Sequence, residues 1–199
     1  MLKTPTHYTS KSPKTVILFV VLFSVVYLTM ILQILPKVHT FNQGVNFLFA
    51  FLTICFFILS VVKDPGFIHN DGLSFSELIQ TFDPMNLCPD CETIRTIRSR
   101  HCSICKKCVE RFDHHCPWIN NCVGIRNHNY FLAYIIFQWI LLLDTIILTA
   151  VVAFDPDTFL PQSGRPLIFE SPTVFYIGCV LVVGISLVFI LMLTLLVSV

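Results

Sequence analysis

The segment Cys88–Cys122, CPDCETIRTIRSRHCSICKKCVERFDHHCPWINNC, holds one metal-ligand pattern written twice. The first copy is Cys88, Cys91, His101 and Cys108. The second is Cys102, Cys105, His115 and Cys122, each member 14 positions after its counterpart. The sets interleave without sharing a residue. Three thiolates and one imidazole complete a tetrahedral zinc shell and leave no position for water, so the reading is two structural zinc ions. A module of about 45 residues cannot bury enough apolar surface to stand alone, and the metals then supply folding free energy. Interleaved zinc sites also occur in RING-type domains, but the ligand order and offsets here differ, which disfavours a membrane-anchored ubiquitin ligase. Cys116 and His114 lie inside the segment and belong to neither set.

Outward from this segment the chain is apolar. Of 199 residues 55% are hydrophobic and 13% charged, with mean hydropathy +0.76. A bilayer span needs roughly 20 residues, and four stretches qualify: Thr15–Leu35, Val45–Val62, Tyr130–Phe154 and Val174–Val199. The first is too long for a signal-peptide core and no cleavage site follows it, so it reads as a retained helix. The expected fold is an all-α polytopic membrane protein of four transmembrane helices with a small cytosolic zinc-binding Cys-rich domain. Residues 1–14 are an N-terminal tail read as disordered, 15–62 carry the first two helices, 63–129 form a loop, and 130–199 carry the last two helices. The Cys-rich domain runs over 88–131.

Basic residues set the orientation. Lys3, Lys11 and Lys14 stand in the leader, and Lys63, Arg95, Arg98, Arg100, Lys106, Lys107, Arg111 and Arg126 in the large loop. The two short loops hold only Lys37 and Arg165. The N-terminus and the Cys-rich loop are therefore expected in the cytosol, where thiols stay reduced and dense cysteines mean metal or catalysis rather than disulfides. The net charge of +1 hides this asymmetry, and no nucleic-acid partner is expected. Cys55 and Cys179 fall in apolar spans and read as small buried hydrophobes. Before the first zinc ligand, Ser74 and Glu77 fit a capping box, followed by Phe75, Leu78, Ile79 and Phe82 at helical spacing, with Asp83-Pro84 ending the run. This helix lies either on the membrane surface or against the zinc module. The second span, about 18 residues by this reading, is short and favours a thin early-secretory membrane. Asp144 sits in mid-span, where an ionisable group is costly; it either finds a partner on a neighbouring helix or lines the far end of a cavity.

The run Asp113-His114-His115-Cys116 places a carboxylate, an imidazole, a zinc ligand and a spare thiol together. A thiol attacks as the thiolate. His114 can accept its proton, and Asp113 can orient the imidazole. Neighbours on an extended chain point to opposite sides, so His115 can face the metal while His114 and Cys116 face away together. The bland alternatives are that Cys116 is an extra ligand or an inert thiol. The thiol lies 14 residues before Tyr130, where the third span begins, and Trp118 suits an interface. A nucleophile at the bilayer surface suits a lipid chain or an acyl thioester whose tail lies in the membrane. Arg95, Arg98 and Arg100 either meet phosphates of its head group or form a solvated loop drawn to anionic lipid.

These residues resemble the DHHC-type protein S-acyltransferase (palmitoyltransferase) family. The likeness covers Cys88 to Phe131, including His101-Cys102, Asp113 to Trp118, Asn121-Cys122-Val123-Gly124, Asn127 and Phe131, and extends to the membrane layout and to Asp64-Pro65-Gly66. It implies that Cys116 takes a long-chain acyl group, palmitoyl, from acyl-CoA as a thioester. The group then passes to a cysteine of a cytosolic or membrane protein. It implies His114 as base with Asp113 behind it, Arg95, Arg98 and Arg100 near the CoA phosphates, two structural Zn2+ ions, and helices that hold the acyl chain in the bilayer. The expected location is the ER, the Golgi or another endomembrane.

Two features depart from the family. Thr96 stands where a proline is common, an expected local effect. A T-T-x-E motif follows the family's fourth helix, whereas this sequence ends at that helix, so a fragment or truncated gene model is expected. The alternative function is a catalytically silent membrane zinc protein that binds partners or traffics cargo.

Overall fold

The computed structural model describes residues 13–70, 72–154 and 172–197. The tail up to Ser12 with Lys3 and Lys11, the loop with Arg165, and the last two residues lie outside the described residues. The helices are α1 (Lys14–Thr29), α2 (Thr40–Val62), α3 (Phe75–Thr81), α4 (His128–Phe154) and α5 (Pro172–Val197). Among the described residues four spans, Lys14–Lys37, Thr40–Val62, His128–Phe154 and Thr173–Thr194, are long and apolar enough to cross a membrane. The first span continues past α1 through a π-helical turn, Met30–Ile34, and a 3-10 turn, Leu35–Lys37. Pro36 explains the change, because it has no N–H to donate and its ring crowds the preceding turn.

The second span is not short. It begins at Thr40 and runs 23 residues. Thr40, Asn42 and Gln43 hide its first turn from a hydropathy reading. Gln43 is there for a local reason: its Nε2 donates to the carbonyls of Leu35 and Val38, each at 2.8 Å, and closes the turn between the two helices. The argument from a short span to a thin membrane therefore loses its premise.

The chain divides into two compact units. One comprises residues 1–17 and 56–132, the other 18–55 and 133–199. The second unit has a core of Met30, Ile34, Leu35, Val38, Leu148, Val152, Phe175 and Cys179. Gly178 lets Gln33 lie against α5, since a Cβ there would overlap the Gln33 amide. Asp144 finds its partner here: Asn46 Nδ2 donates to Asp144 Oδ2 at 2.7 Å, and Tyr27 Oη donates to Asn46 Oδ1 at 3.2 Å. Three helices thus meet through one polar chain in an apolar surround, where an unpartnered carboxyl would be costly.

The first unit carries the Cys-rich segment as three two-stranded antiparallel hairpins. They are β1 (Leu87–Cys88) with β2 (Thr93–Ile94), β3 (Arg100–Cys102) with β4 (Lys107–Val109), and β5 (His114–Cys116) with β6 (Asn121–Val123). The capping box at Ser74 and Glu77 is complete, and α3 rests on β2 through Leu78, 2% exposed. Packing on the zinc module, one of the two readings for this helix, is what these contacts favour, although Ile79 and Phe82 stay open.

Candidate active site

Within the first unit, the third hairpin is fastened to the end of α2. The last carbonyls of a helix lack partners within it, and two buried asparagines supply them. Asn121 Nδ2 reaches the carbonyls of Val61 at 3.2 Å and Lys63 at 3.1 Å. Asn127 Nδ2 reaches those of Ser60 at 3.4 Å and Cys122 at 2.8 Å. Their side-chain oxygens accept from Cys122 N and Gly124 N. Asp64 Oδ1 accepts from the backbone of Gly66 at 2.7 Å and Phe67 at 2.9 Å, a turn that Gly66 completes at φ 103°. Burial would raise the Asp64 carboxyl, but these N–H groups, with Arg126 and His69 nearby, hold it below the ordinary range. Gly124 is needed because a Cβ would meet the Pro65 carbonyl at 2.5 Å. These contacts tie β6 and the turn after it to the end of α2.

The hairpins explain the doubled pattern. Each ligand set takes the Cys-x-x-Cys turn of one hairpin and a cross-strand His/Cys pair from the next. His101 pairs with Cys108 across β3–β4, and His115 with Cys122 across β5–β6. Among the described residues these two sets are the groups able to hold a metal, with ligand atoms within 4.8 Å of one another. A tetrahedral zinc site puts neighbouring ligand atoms about 3.6–3.8 Å apart. Here His101 Nδ1 stands 3.6 Å from Cys88 Sγ and 3.1 Å from Cys91 Sγ. His115 Nδ1 stands 3.8, 3.4 and 3.7 Å from Cys102, Cys105 and Cys122. Burial and the neighbouring Cys88 and Cys91 push Cys108 up to about 12, and close approach of Cys105 pushes Cys122 up. Crowded thiols of this kind are what a bound dication deprotonates and holds. The donor set and spacing fit zinc.

Cys116 ends β5, is 1% exposed, and belongs to neither set. Burial raises its thiol, while the backbone N–H groups of Ile119 and Trp118 oppose the shift. Thr15 Oγ1 donates to the Pro117 carbonyl at 2.7 Å, next to the thiol. His114 Nδ1 lies 3.5 Å from Asp113 Oδ2, and its ring meets Phe131 edge-on with centroids 5.4 Å apart. Burial holds the imidazole below its ordinary value against the pull of Asp113, so the ring is neutral at neutral pH. His114 Nε2 is buried with no hydrogen-bond partner. A neutral ring with one nitrogen facing a carboxylate and the other free can take up a proton.

The three expected arginines separate. The Arg95 side chain hydrogen-bonds the Cys88 sulfur, which burial raises but that bond and those from Cys108 and the Cys91 backbone bring low. Arg100 is exposed on β3 opposite Val109. Arg98 lines a cavity of about 340 Å³ beside Asp113, with Arg111, Phe112 and His128. Spacing could not single out Arg111 or His128. His128 opens α4, and its Nε2 lies 3.8 Å from the same Asp113 Oδ2 that faces His114.

A family model described as DHHC palmitoyltransferase matches residues 81–199. Palmitoyltransferase Hip14 of Drosophila melanogaster is 40% identical over 127 residues, 59% of this chain and 19% of its own length. Palmitoyltransferase ZDHHC4 of Bos taurus is 43% identical over 94 residues, 45% of this chain and 27% of its own. Palmitoyltransferase ZDHHC3 of Homo sapiens is 33% identical over 138 residues, 65% of this chain and 46% of its own. The chain thus spans less than half the length of each of these relatives.

Proposed function

This chain belongs to the DHHC palmitoyltransferase family, and on that premise we propose that it is an integral membrane protein S-acyltransferase that carries the acyl group on Cys116. The observation that carries the proposal is the third hairpin. Its two cross-strand ligands, His115 and Cys122, complete a metal set, while Cys116 on the same strand is spared, and His114, two residues before it on that strand, faces Asp113. Two structural zinc ions held by the two sets would fix the hairpins and take no part in bond making.

The chemistry runs in two steps. His114 takes the Cys116 proton, and the thiolate attacks the acyl carbonyl of a long-chain acyl-CoA such as palmitoyl-CoA. The bond to the CoA sulfur breaks, and that sulfur leaves with the proton from His114. In the second step a substrate cysteine gives its proton to His114 and attacks the Cys116 thioester, which returns Cys116 as the thiol. Asp113 orients His114 and stabilises its charged form. Arg98, and with it Arg111, suits the CoA phosphates; Arg95 is engaged at Cys88, and Arg100 is exposed on β3 outside that cavity. Substrates are cysteines of cytosolic or membrane proteins. The loop of residues 63–129 and the N-terminus face the cytosol, as the basic residues of the loop favour.

The test is incubation of the purified chain in detergent with labelled palmitoyl-CoA. Label on the wild type that neutral hydroxylamine releases, absent in Cys116→Ala, is the expected result. A zinc-loaded, folded wild type that takes no label would favour the binding-module alternative.

A further inference from the structure

The 14-residue repeat runs a third time in the backbone, beyond the two metal sets. Cys88, Cys102 and Cys116 occupy equivalent places, and their cross-strand partners are Thr93, Lys107 and Asn121, again 14 apart. The second turn position is Cys91, then Cys105, then Ile119. The next residue takes a left-handed conformation each time: Glu92 at φ 50°, Lys106 at φ 56° and Asn120 at φ 48°. Few residues other than glycine adopt this conformation, so three in register mark one turn built three times. The amide pattern repeats as well. The backbone groups of Asp90 and Cys91 face the Cys88 sulfur, Cys105 N lies 3.4 Å from Cys102 Sγ, and the N–H groups of Trp118 and Ile119 face the Cys116 sulfur.

We propose that the β5–β6 turn is a metal-binding turn disarmed at one position, and that Ile119, by standing where the second thiol stands in the other two turns, is the residue that keeps Cys116 free of metal. This rests on the reading of Cys116 as the acyl carrier and identifies what makes that role available. A turn with two thiols chelates a soft ion; a turn with one thiol and a buried apolar side chain, 1% exposed at Ile119, offers a single ligand and a dry neighbour. The amides that would support a metal-bound sulfur in the first two turns recur in the third, where they face a sulfur that belongs to neither set.

The experiment compares Ile119→Cys with Ile119→Ser and the wild type. Serine matches cysteine in size but offers no soft donor, so it reports the cost of losing the isoleucine. Each full-length chain is purified in detergent, its zinc content measured, and its Cys116 labelling followed against added Cd2+. The expected result is two zinc equivalents in wild type and Ile119→Ser, and a third metal equivalent in Ile119→Cys. Labelling of Ile119→Cys should fail at Cd2+ concentrations at least about 100-fold below those that inhibit Ile119→Ser, and a weak chelator should restore it. Two equivalents in Ile119→Cys, with Cd2+ sensitivity equal to that of Ile119→Ser, would overturn the proposal. Because metal content is read without any acyl transfer, that outcome is distinct from a wild type that takes no acyl label, which would instead remove the enzymatic reading.

Discussion

At the scale of single residues, Asp113 stands between two histidines. Its Oδ2 faces His114 Nδ1 at 3.5 Å and His128 Nε2 at 3.8 Å, and its position near the start of α4 suits a negative charge. His128 is therefore expected to hold the carboxylate toward His114 without touching the acyl group. His128→Leu should slow Cys116 labelling about tenfold, less than loss of a general base would cost, with its dependence on acyl-CoA concentration unchanged. His128→Gln puts an amide nitrogen in place of Nε2 and should keep most of the rate. A rise in the acyl-CoA requirement instead would assign His128 to the phosphates in the cavity it lines with Arg98 and Arg111. Nothing in the spacing could have revealed this residue, because His128 reaches Asp113 only through the way α4 begins. Asn121 and Asn127 are similar: their place beside Cys122 and Gly124 can be read from the sequence, but the α2 carbonyls they satisfy come from about 60 residues away.

At the scale of elements, the metal sets were open to reading because ligand chemistry is local and its spacing rigid. The six strands were not. Each has two or three residues, too few to show an alternation that can be counted. Their order comes from turn geometry and shared ligands rather than from apolar periodicity. The helices show the reverse. Long apolar runs give them away, and only ends built from polar residues, such as Thr40 to Gln43, escape. Removing the metals should separate the two kinds of element. A strong chelator should abolish Cys116 labelling while far-UV circular dichroism keeps most of its helical signal, and added zinc should restore labelling. Labelling that survives in metal-free protein would contradict the structural role given to the ions.

At the scale of the whole molecule, a carboxyl within an apolar helix is the group that most needs a partner, and Asp144 has one. Asn46 bridges Tyr27 and Asp144. Asn46→Leu should lower stability in detergent by about 1 kcal/mol, a usual size for a polar contact between membrane helices. Asn46→Leu with Asp144→Leu should recover part of that loss, since removing both partners leaves no stranded carboxyl. Thermal unfolding of the single and double variants checks this, and an unchanged acyl-chain preference in both would separate the contact from any part in lining a cavity. That Asp144 needed a partner was legible from its charge; that the partner is Asn46 depended on how three helices pack. The interleaving of the ligand sets has a consequence beyond folding. The hairpin β3–β4 carries His101 and Cys108 of one set and Cys102 and Cys105 of the other, so neither set can be assembled on a correctly shaped hairpin while the other is undone. Under scarce zinc the population should divide into finished and unfinished molecules, with few intermediates. Output would then fall through the number of working copies, each running at its full rate, so that metal supply would set the dose of the protein and leave its speed untouched.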